Sequence, residues 1–267
     1  MSYRTAAGRS IRALDQRRFG PANRAFVVKN DLLAALLDSE YSHLSSRLER
    51  VDLKAGEIVY KADQRIKYVY FPESAVVAMI DTLEDGGTVE VGIIGHEGMV
   101  GINIFLGALA TPDRAIAQIA GSAMRMKTGD LRAELRFGSP LQRLLLRYTQ
   151  ALLAVISQSV ACSQHHSVEQ RLARLLLTMH GYAGANGLVM SQQSIAAMLG
   201  SRRAGVTGAA GVLRAAGLIS YKRGRIAIID EQGLRKKSCK CYAFIRKQVD
   251  GLRGDVRRVL SAKARAS

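Results

Sequence analysis

The spacing of apolar residues changes twice along this chain, and the changes divide it. Over 30–48 the apolar positions Leu32, Leu33, Leu36, Leu37, Leu44 and Leu48 fall at helical intervals. They predict one or two short helices, started by Asn30 or Asp31. The period then drops to two. Segments 57–60, 67–71, 75–80, 88–94, 115–120 and 123–127 are short and mostly β-branched or aromatic. Gly56, Pro72, Gly86, Gly87, Gly95, Gly98 and Gly121 punctuate them. Short strands at near-regular spacing predict a jelly roll or barrel, and Asp85-Gly86-Gly87 predicts a hairpin.

After Pro140 the period returns to 3.6. Leu141, Leu144, Leu145, Tyr148, Leu152, Val155 and Ile156 form one stripe. An apolar stripe between two domains needs covering, and a second copy is the simplest cover, so these residues are the expected dimerisation face. A second helix starts at Ser167, where Ser-Val-Glu-Gln has capping-box spacing. It buries Leu172, Leu175, Leu176 and Met179, and Gly181, Gly184 and Gly187 form a loop after it.

From Met190 two short helices follow in succession. Ser191 caps the first, which runs to Leu199, and Gly200-Ser201 breaks it. The second spans about 202–216 and stops at Gly217, with the small Ala196 where the two cross. Strands 218–221 and 225–229 then flank Lys222-Arg223-Gly224. This is the pattern of a helix-turn-helix with a basic wing.

Charge sharpens that reading. The 267 residues carry a formal net charge of +17. Residues 31–199 are close to neutral, while 1–30 and 200–267 hold the basic excess. A block this lopsided at the C-terminal end points to a polyanion partner, double-stranded DNA in this context. Arg202 and Arg203 open the second helix, where a guanidinium can donate twice to the O6 and N7 of guanine. Thr207 lies one turn on. Lys222, Arg223 and Arg225 on the wing suit phosphates, and Ser191 and Gln192 complete the candidate DNA-contacting set. Gly205, Gly208 and Gly211 each lower helix propensity by about 1 kcal/mol. Close approach to DNA or to the partner helix would explain them.

The order of elements, with GHEGMVGINIFLGA at 95–108 and SIAAMLGSRRAGVTGAAGVLRAAGLI at 194–219, resembles the Crp-Fnr family of bacterial transcription regulators. The likeness covers roughly 30–240. It implies an α+β fold: an N-terminal jelly-roll (β-roll) sensory domain of cyclic-nucleotide-binding type, a long dimerisation helix and a C-terminal winged helix-turn-helix. The boundaries expected are a basic, disordered arm over 1–29, the β-roll over 30–137, the linking helix over 138–163, the DNA-binding domain over 164–240 and a basic helix or tail over 241–267. The resemblance also implies a homodimer, an inverted-repeat operator and RNA polymerase as a partner. Arg203 takes the place of the family's guanine-contacting arginine. Ala204 and Gly208 stand where the family usually has Glu and Arg, so a different operator is expected.

In the sensory domain the family's Gly-Glu pair, which holds the ribose, is here Gly101 followed by Ile102 and Asn103. The phosphate-binding Arg-Ser/Thr-Ala triplet falls on Pro112-Asp113-Arg114-Ala115. The first register puts Asp113 at the phosphate, where a carboxylate repels it. A shift of one puts Arg114 there. Cyclic AMP is not the expected effector: either a different small molecule is sensed in the roll or regulation is by protein abundance alone, with no certain cofactor.

Other signals are weaker. Cys239-Lys240-Cys241 lacks a second pair at useful spacing and reads as ordinary thiols. His165-His166 reads as a hinge, and His96-Glu97 as too small a set for a metal-dependent enzyme. No metal site and no catalytic residues are therefore expected, and the chain is read as a regulator rather than an enzyme. The rival is a metal-dependent β-barrel enzyme with a basic nucleic-acid tether. The basic first thirty residues lack an apolar block, and the longest apolar run is 151–156. A cytoplasmic protein without membrane partners is expected.

Overall fold

The computed structural model describes residues 28–263 other than 37, 85, 136, 185 and 186, with side chains over that range other than 38, 39 and 253–263. The basic arm lies outside the described residues except for Val28 and Lys29, and so do Leu37 and Asp85 of the predicted pattern.

Two short helices open the described chain, α1 (Asp31–Ala34) and α2 (Asp38–Ser45). Asn30 caps the first, accepting from the amides of Leu32 and Leu33, while its Nδ2 donates to the carbonyls of Pro72 and Gly98. A fully buried asparagine thus ties the entry helix to the β domain.

The β domain is a roll of two antiparallel sheets. One has the order β1-β7-β3, from β1 (Glu49–Leu53), β7 (Gly121–Lys127) and β3 (Tyr68–Pro72). The other has the order β2-β6-β4-β5, from β2 (Ile58–Tyr60), β6 (Arg114–Ile119), β4 (Val76–Thr82) and β5 (Thr88–Ile94). Val69, Phe71, Val77, Met79, Ile94, Ala115, Ala117 and Met126 fill the space between them. At Gly121 an added Cβ would sit 2.4 Å from the Ala75 amide, so the backbone crossing there admits only glycine. Strand β1 has no counterpart in the predicted set. Two short helices, α3 (Ile102–Phe105) and α4 (Thr128–Glu134), complete the domain.

The linking helix α5 runs Pro140–His165, capped by Ser139, and α6 runs Val168–Ala183 from the capping box at Ser167. Gly181 therefore lies inside α6 rather than in the loop predicted for it. Helix α5 is long and apolar enough, by length and composition, to cross a bilayer, a property that its longest unbroken apolar run does not reveal. A C-terminal helix α10 (Cys241–Lys263) packs back along α5 and α6, with Leu252 joining the β-roll core.

That return changes the expected dimerisation face. Leu141, Leu144, Leu145 and Tyr148 are buried in the chain's own β-roll core. Leu152 packs against that core, and with Val155 it lines a cleft shared with Ile245, Val249 and Leu252 of α10. The first four are buried within one chain, and Leu152 and Val155 are half-buried. The open apolar side is the row Leu146, Leu153 and Val160, at 53, 55 and 60 % exposure, with half-buried Ile156 beside it. This row lies to one side of the predicted stripe, and Ile156 alone belongs to both.

Candidate nucleic-acid interface

The C-terminal domain sets two helices at a tight turn. Helix α7 (Gln192–Leu199) is capped by Ser191, whose Oγ accepts from the Ser194 amide. Gly200 ends it in the left-handed region at φ 53°. Helix α8 (Arg203–Ala215) follows, with Arg202 at its N-cap and Gly217 at φ 72° just past its end. Ile195, Ala196, Leu199, Val206, Ala210 and Leu213 form the buried seam between the pair and α6. The Thr207 hydroxyl faces Gln192 Oε1 at 2.8 Å and its own Arg203 carbonyl at 3.0 Å. Its single proton therefore serves the register of the two helices before it serves a base edge.

The outward side of α8 is smooth. A Cβ at Gly208 or Gly211 would meet nothing within 4 Å, so close approach to a partner helix does not account for these glycines. At Gly205 the nearest atom is Ser201 Oγ at 3.3 Å.

Beside α8 stands the wing. Strand β8 (Leu188–Val189) joins β9 (Ile219–Lys222) and β10 (Arg225–Ile228) in the order β8-β10-β9. The β9–β10 loop is the two residues Arg223-Gly224, both with positive φ, 48° and 78°. A two-residue hairpin of this hand asks for that backbone at both places, which asparagine or glycine supplies more easily than arginine. Arginine in the left-handed region costs about 1–2 kcal/mol, and strain of that kind collects at functional positions. Tyr221 fastens the wing to the start of α7, donating to the Met190 carbonyl at 3.0 Å.

Recognition helix and wing enclose an open concavity lined by Ser191, Gln192, Arg203, Thr207, Arg214 and Arg223, among others. Arg214 and Tyr221 were not in the sequence-derived set. Arg214 sits eleven residues beyond Arg203, three helical turns along the same face, which is the signal that could have found it. Among the described residues, none of Arg202, Arg203, Arg214, Lys222, Arg223 and Arg225 forms an ion pair. Arg203, Arg214 and Arg223 set three exposed guanidinium groups on the concave face, suited to phosphates and base edges, while Arg202, Lys222 and Arg225 are exposed outside its lining.

The six residues expected at the effector lie at the start of α3 and at the start of β6. Asp113 accepts from Tyr60 Oη at 2.9 Å and from Thr111 Oγ1, so its carboxylate is spent inside the roll. That contact and burial hold the Tyr60 phenol well above its ordinary range. Ala115 pairs with Met79 and is buried in the roll core, so its neighbour Arg114, paired with Ile80, alternates to the opposite face. Arg114 is half-buried there, and its Nε has no hydrogen-bond partner among the described residues. Gly101, at φ 89°, starts α3, and Ile102 is buried. Asn103 closes the far end of that turn, its carbonyl accepting from the Ala108 amide at 2.9 Å.

The cleft between β5, α5, α6 and α10 carries more unsatisfied chemistry. It is lined by Glu90, Glu97 and Arg174, and Glu90 Oε2, Glu97 Oε2 and Arg174 Nε are buried without a hydrogen-bond partner among the described residues. Burial pushes the Glu90 carboxyl up to about 8, against the pull of Arg174. Glu97 joins the two domains, accepting from Tyr182 Oη at 2.8 Å and from the Gly95 amide at 3.0 Å, while His96 turns to Asp31 at 3.2 Å. The His96 ring also meets Tyr182 edge-on, with ring centres 6.0 Å apart.

Cys239 and Cys241, read as ordinary thiols, meet Cys162 and His166, and the four ligand atoms all lie within 4.8 Å of one another.

Two crossed helices with a bare basic N-terminus, flanked by a basic-tipped hairpin, define a winged helix-turn-helix DNA-binding protein. Compared with known families, residues 170–237 match the Crp-like helix-turn-helix domain and 50–136 the cyclic nucleotide-binding domain, together more than half of the chain. The chain belongs to the Crp-Fnr family of transcription regulators, with a DNA-binding helix-turn-helix and an effector-binding type of β-roll. The family match favours the regulator over the barrel enzyme.

Among solved structures it is similar to FixK2 from Bradyrhizobium japonicum, at 20 % identity and a TM-score of 0.62, over 72 % of this chain and 98 % of that one. It is similar to a Crp/Fnr-family regulator from Eubacterium rectale, at 18 % identity and a TM-score of 0.60, over 77 % and 96 %. The c-di-GMP-responsive global regulator CLP of Xanthomonas campestris shares 15 % identity with a TM-score of 0.55, over 71 % and 98 %. At these identities the likeness is one of fold. Compared by sequence with curated proteins, the chain has no match.

Proposed function

We propose that the chain acts as a cytoplasmic homodimer, without catalytic activity or a membrane partner, that reads an inverted-repeat operator and acts on RNA polymerase. The observation that carries this is Arg203 at the first turn of α8, exposed and unpaired beside the strained wing tip Arg223. Arg203 reads a guanine edge; Arg202, Lys222, Arg223 and Arg225 hold phosphates, and the Ser191 hydroxyl and Gln192 support them at the start of α7. The apolar row Leu146, Leu153, Ile156 and Val160 is the face for a second copy. The domains are the β-roll over 30–137, the linking helix and the DNA-binding domain, with α10 returning as a brace rather than trailing as a tail.

Selection of bound duplexes from a random pool tests the reading. The expected result is a two-fold symmetric motif whose half-sites lie about one helical turn, roughly 34 Å, apart. Enrichment of no motif would leave a nonspecific binder.

The effector reading is a small molecule other than cyclic AMP. Asp113 stands where a phosphate would sit, and the interdomain cleft presents Glu90 and Glu97 against the single Arg174. The carboxylate of Asp113 disfavours a cyclic phosphate. Calorimetry with cyclic AMP or cyclic GMP should show no binding tighter than about 10 μM, and neither should change DNA affinity. A tighter constant would show that the roll rearranges to admit the nucleotide.

A further inference from the structure

We infer that Cys162, His166, Cys239 and Cys241 form a Cys3His site for one soft divalent cation, zinc in the first instance, at the hinge between the linking helix and the DNA-binding domain. The chain has three cysteines in all, and all three converge here from segments 77 residues apart. Cys162 and His166 are one turn apart at the C-terminal end of α5, so they share a face. Cys239 lies in the connection after α9 (Glu231–Lys237), and Cys241 is the first residue of α10.

The geometry suits a single ion. Cys162 Sγ and Cys239 Sγ are 3.4 Å apart, and Cys241 Sγ is 3.7 Å from His166 Nδ1. Tetrahedral zinc with sulfur ligands at about 2.3 Å holds its ligand atoms roughly 3.8 Å from one another. Four donors this close leave room for one metal and not for an iron–sulfur cluster, whose ligating sulfurs bracket several. The separation also exceeds the 2.05 Å or so of a disulfide. Four protein donors close the coordination shell, the mark of a structural rather than a catalytic site.

The surroundings fit the charge. The three cysteines are 0, 4 and 3 % exposed and make a buried cluster of their own, apart from the two aliphatic cores. Gln158 Nε2 donates to Cys241 Sγ at 3.0 Å, an outer contact of the kind that orients a thiolate ligand. Zinc with three thiolates and a neutral imidazole carries a net charge of −1, and Arg171 and Arg174 stand close enough to act on Cys162 and Cys239. Loading replaces three S–H bonds by metal–sulfur bonds and releases three protons to solvent; no electrons move.

The position gives the ion a mechanical role, which rests on the DNA-binding reading above. It joins the end of α5 to the α9–α10 junction, and the next helix begins at Ser167. Arg171 of that helix donates to the Leu199 carbonyl at the end of α7. An occupied site therefore fixes the angle between the dimer helix and the recognition helix.

The test is titration of the reduced, metal-free full chain with zinc against a chromophoric chelator, and with cobalt followed by absorption. One ion per chain is expected, with a zinc dissociation constant below about 10 nM. Cobalt should give tetrahedral ligand-field bands and sulfur-to-metal charge transfer. Cys162→Ser, Cys239→Ser and Cys241→Ser should each weaken zinc by 100-fold or more, while His166→Cys should keep the site and shift the cobalt spectrum toward four thiolates. Circular dichroism separates lost binding from lost folding. A folded, reduced chain that takes up no stoichiometric metal overturns the site. Chelation should lower operator affinity at least tenfold; an unchanged affinity would remove the hinge role. A chain that binds zinc but selects no operator would leave the site standing and reject the DNA reading.

Discussion

Leu153→Glu should convert the protein from dimer to monomer at micromolar concentration while leaving each subunit folded. The residue is 55 % exposed in the single chain and lies seven positions from Leu146 and from Val160. A seven-residue repeat of open apolar positions on a straight helix is the seam of a two-helix coiled coil. In a two-fold pair the two copies of position 153 approach each other, so the substitution brings two carboxylates together in an apolar seam. Burying an unpaired charge costs several kcal/mol, enough to weaken association by two to three orders of magnitude. Leu146→Glu should act in the same direction. Leu145→Glu should instead unfold the β-roll, because Leu145 is 0 % exposed within the chain's own core. Light scattering and circular dichroism read the two effects separately. A Leu153→Glu protein that stays dimeric would mean that another surface holds the copies together.

The contrast between Leu145 and Leu153 shows what the pattern of residues could and could not reveal. Helix α5 carries apolar side chains on three flanks, one against the β-roll, one against α10 and one open. A 3.6-residue period identifies the helix but does not say which flank is covered by which neighbour. The return of α10, a helix of low mean hydropathy, is invisible to a reading that stops at a basic tail. The recognition domain was legible because its signals are local. Ser191, Gly200, Gly217 and Gly224 each answer to the backbone within a few residues, and the structure gives them a cap and three positive φ angles. Strand β1 was missed because Glu49, Arg50 and Asp52 face outward and only Val51 and Leu53 turn in. The cysteine cluster was missed for the opposite reason to the caps: its two halves are far apart in sequence and each half alone is unremarkable. The faces of Asp113 and Arg114 needed strand register, because a shift of one residue exchanges them.

Arg203→Ala should abolish preference at one base pair in each half-site and lower operator affinity, with little effect on random DNA. Arg203 is the first residue of α8, exposed, and free of any ion pair. Among the described residues no carboxylate pairs with its guanidinium, so its donors are available to a base edge. A bidentate contact to guanine is worth about 1–3 kcal/mol of discrimination against the wrong base. A homodimer loses it twice, so the combined loss spans roughly one to four orders of magnitude at two symmetric contacts. Ala204 and Gly208 beside it present no polar group, which concentrates base reading on this arginine and leaves the remaining contacts to the phosphates. The companion change is Arg223→Ala at the wing tip. It removes a phosphate contact and an arginine held at φ 48°, so it should weaken all duplexes alike and reduce the salt dependence by about one counterion per subunit. Fluorescence anisotropy with operator and scrambled duplexes over a salt series distinguishes the two. An operator-to-random ratio unaltered by Arg203→Ala would place base reading elsewhere on the concave face, with Arg202 and Arg214 the next groups to replace.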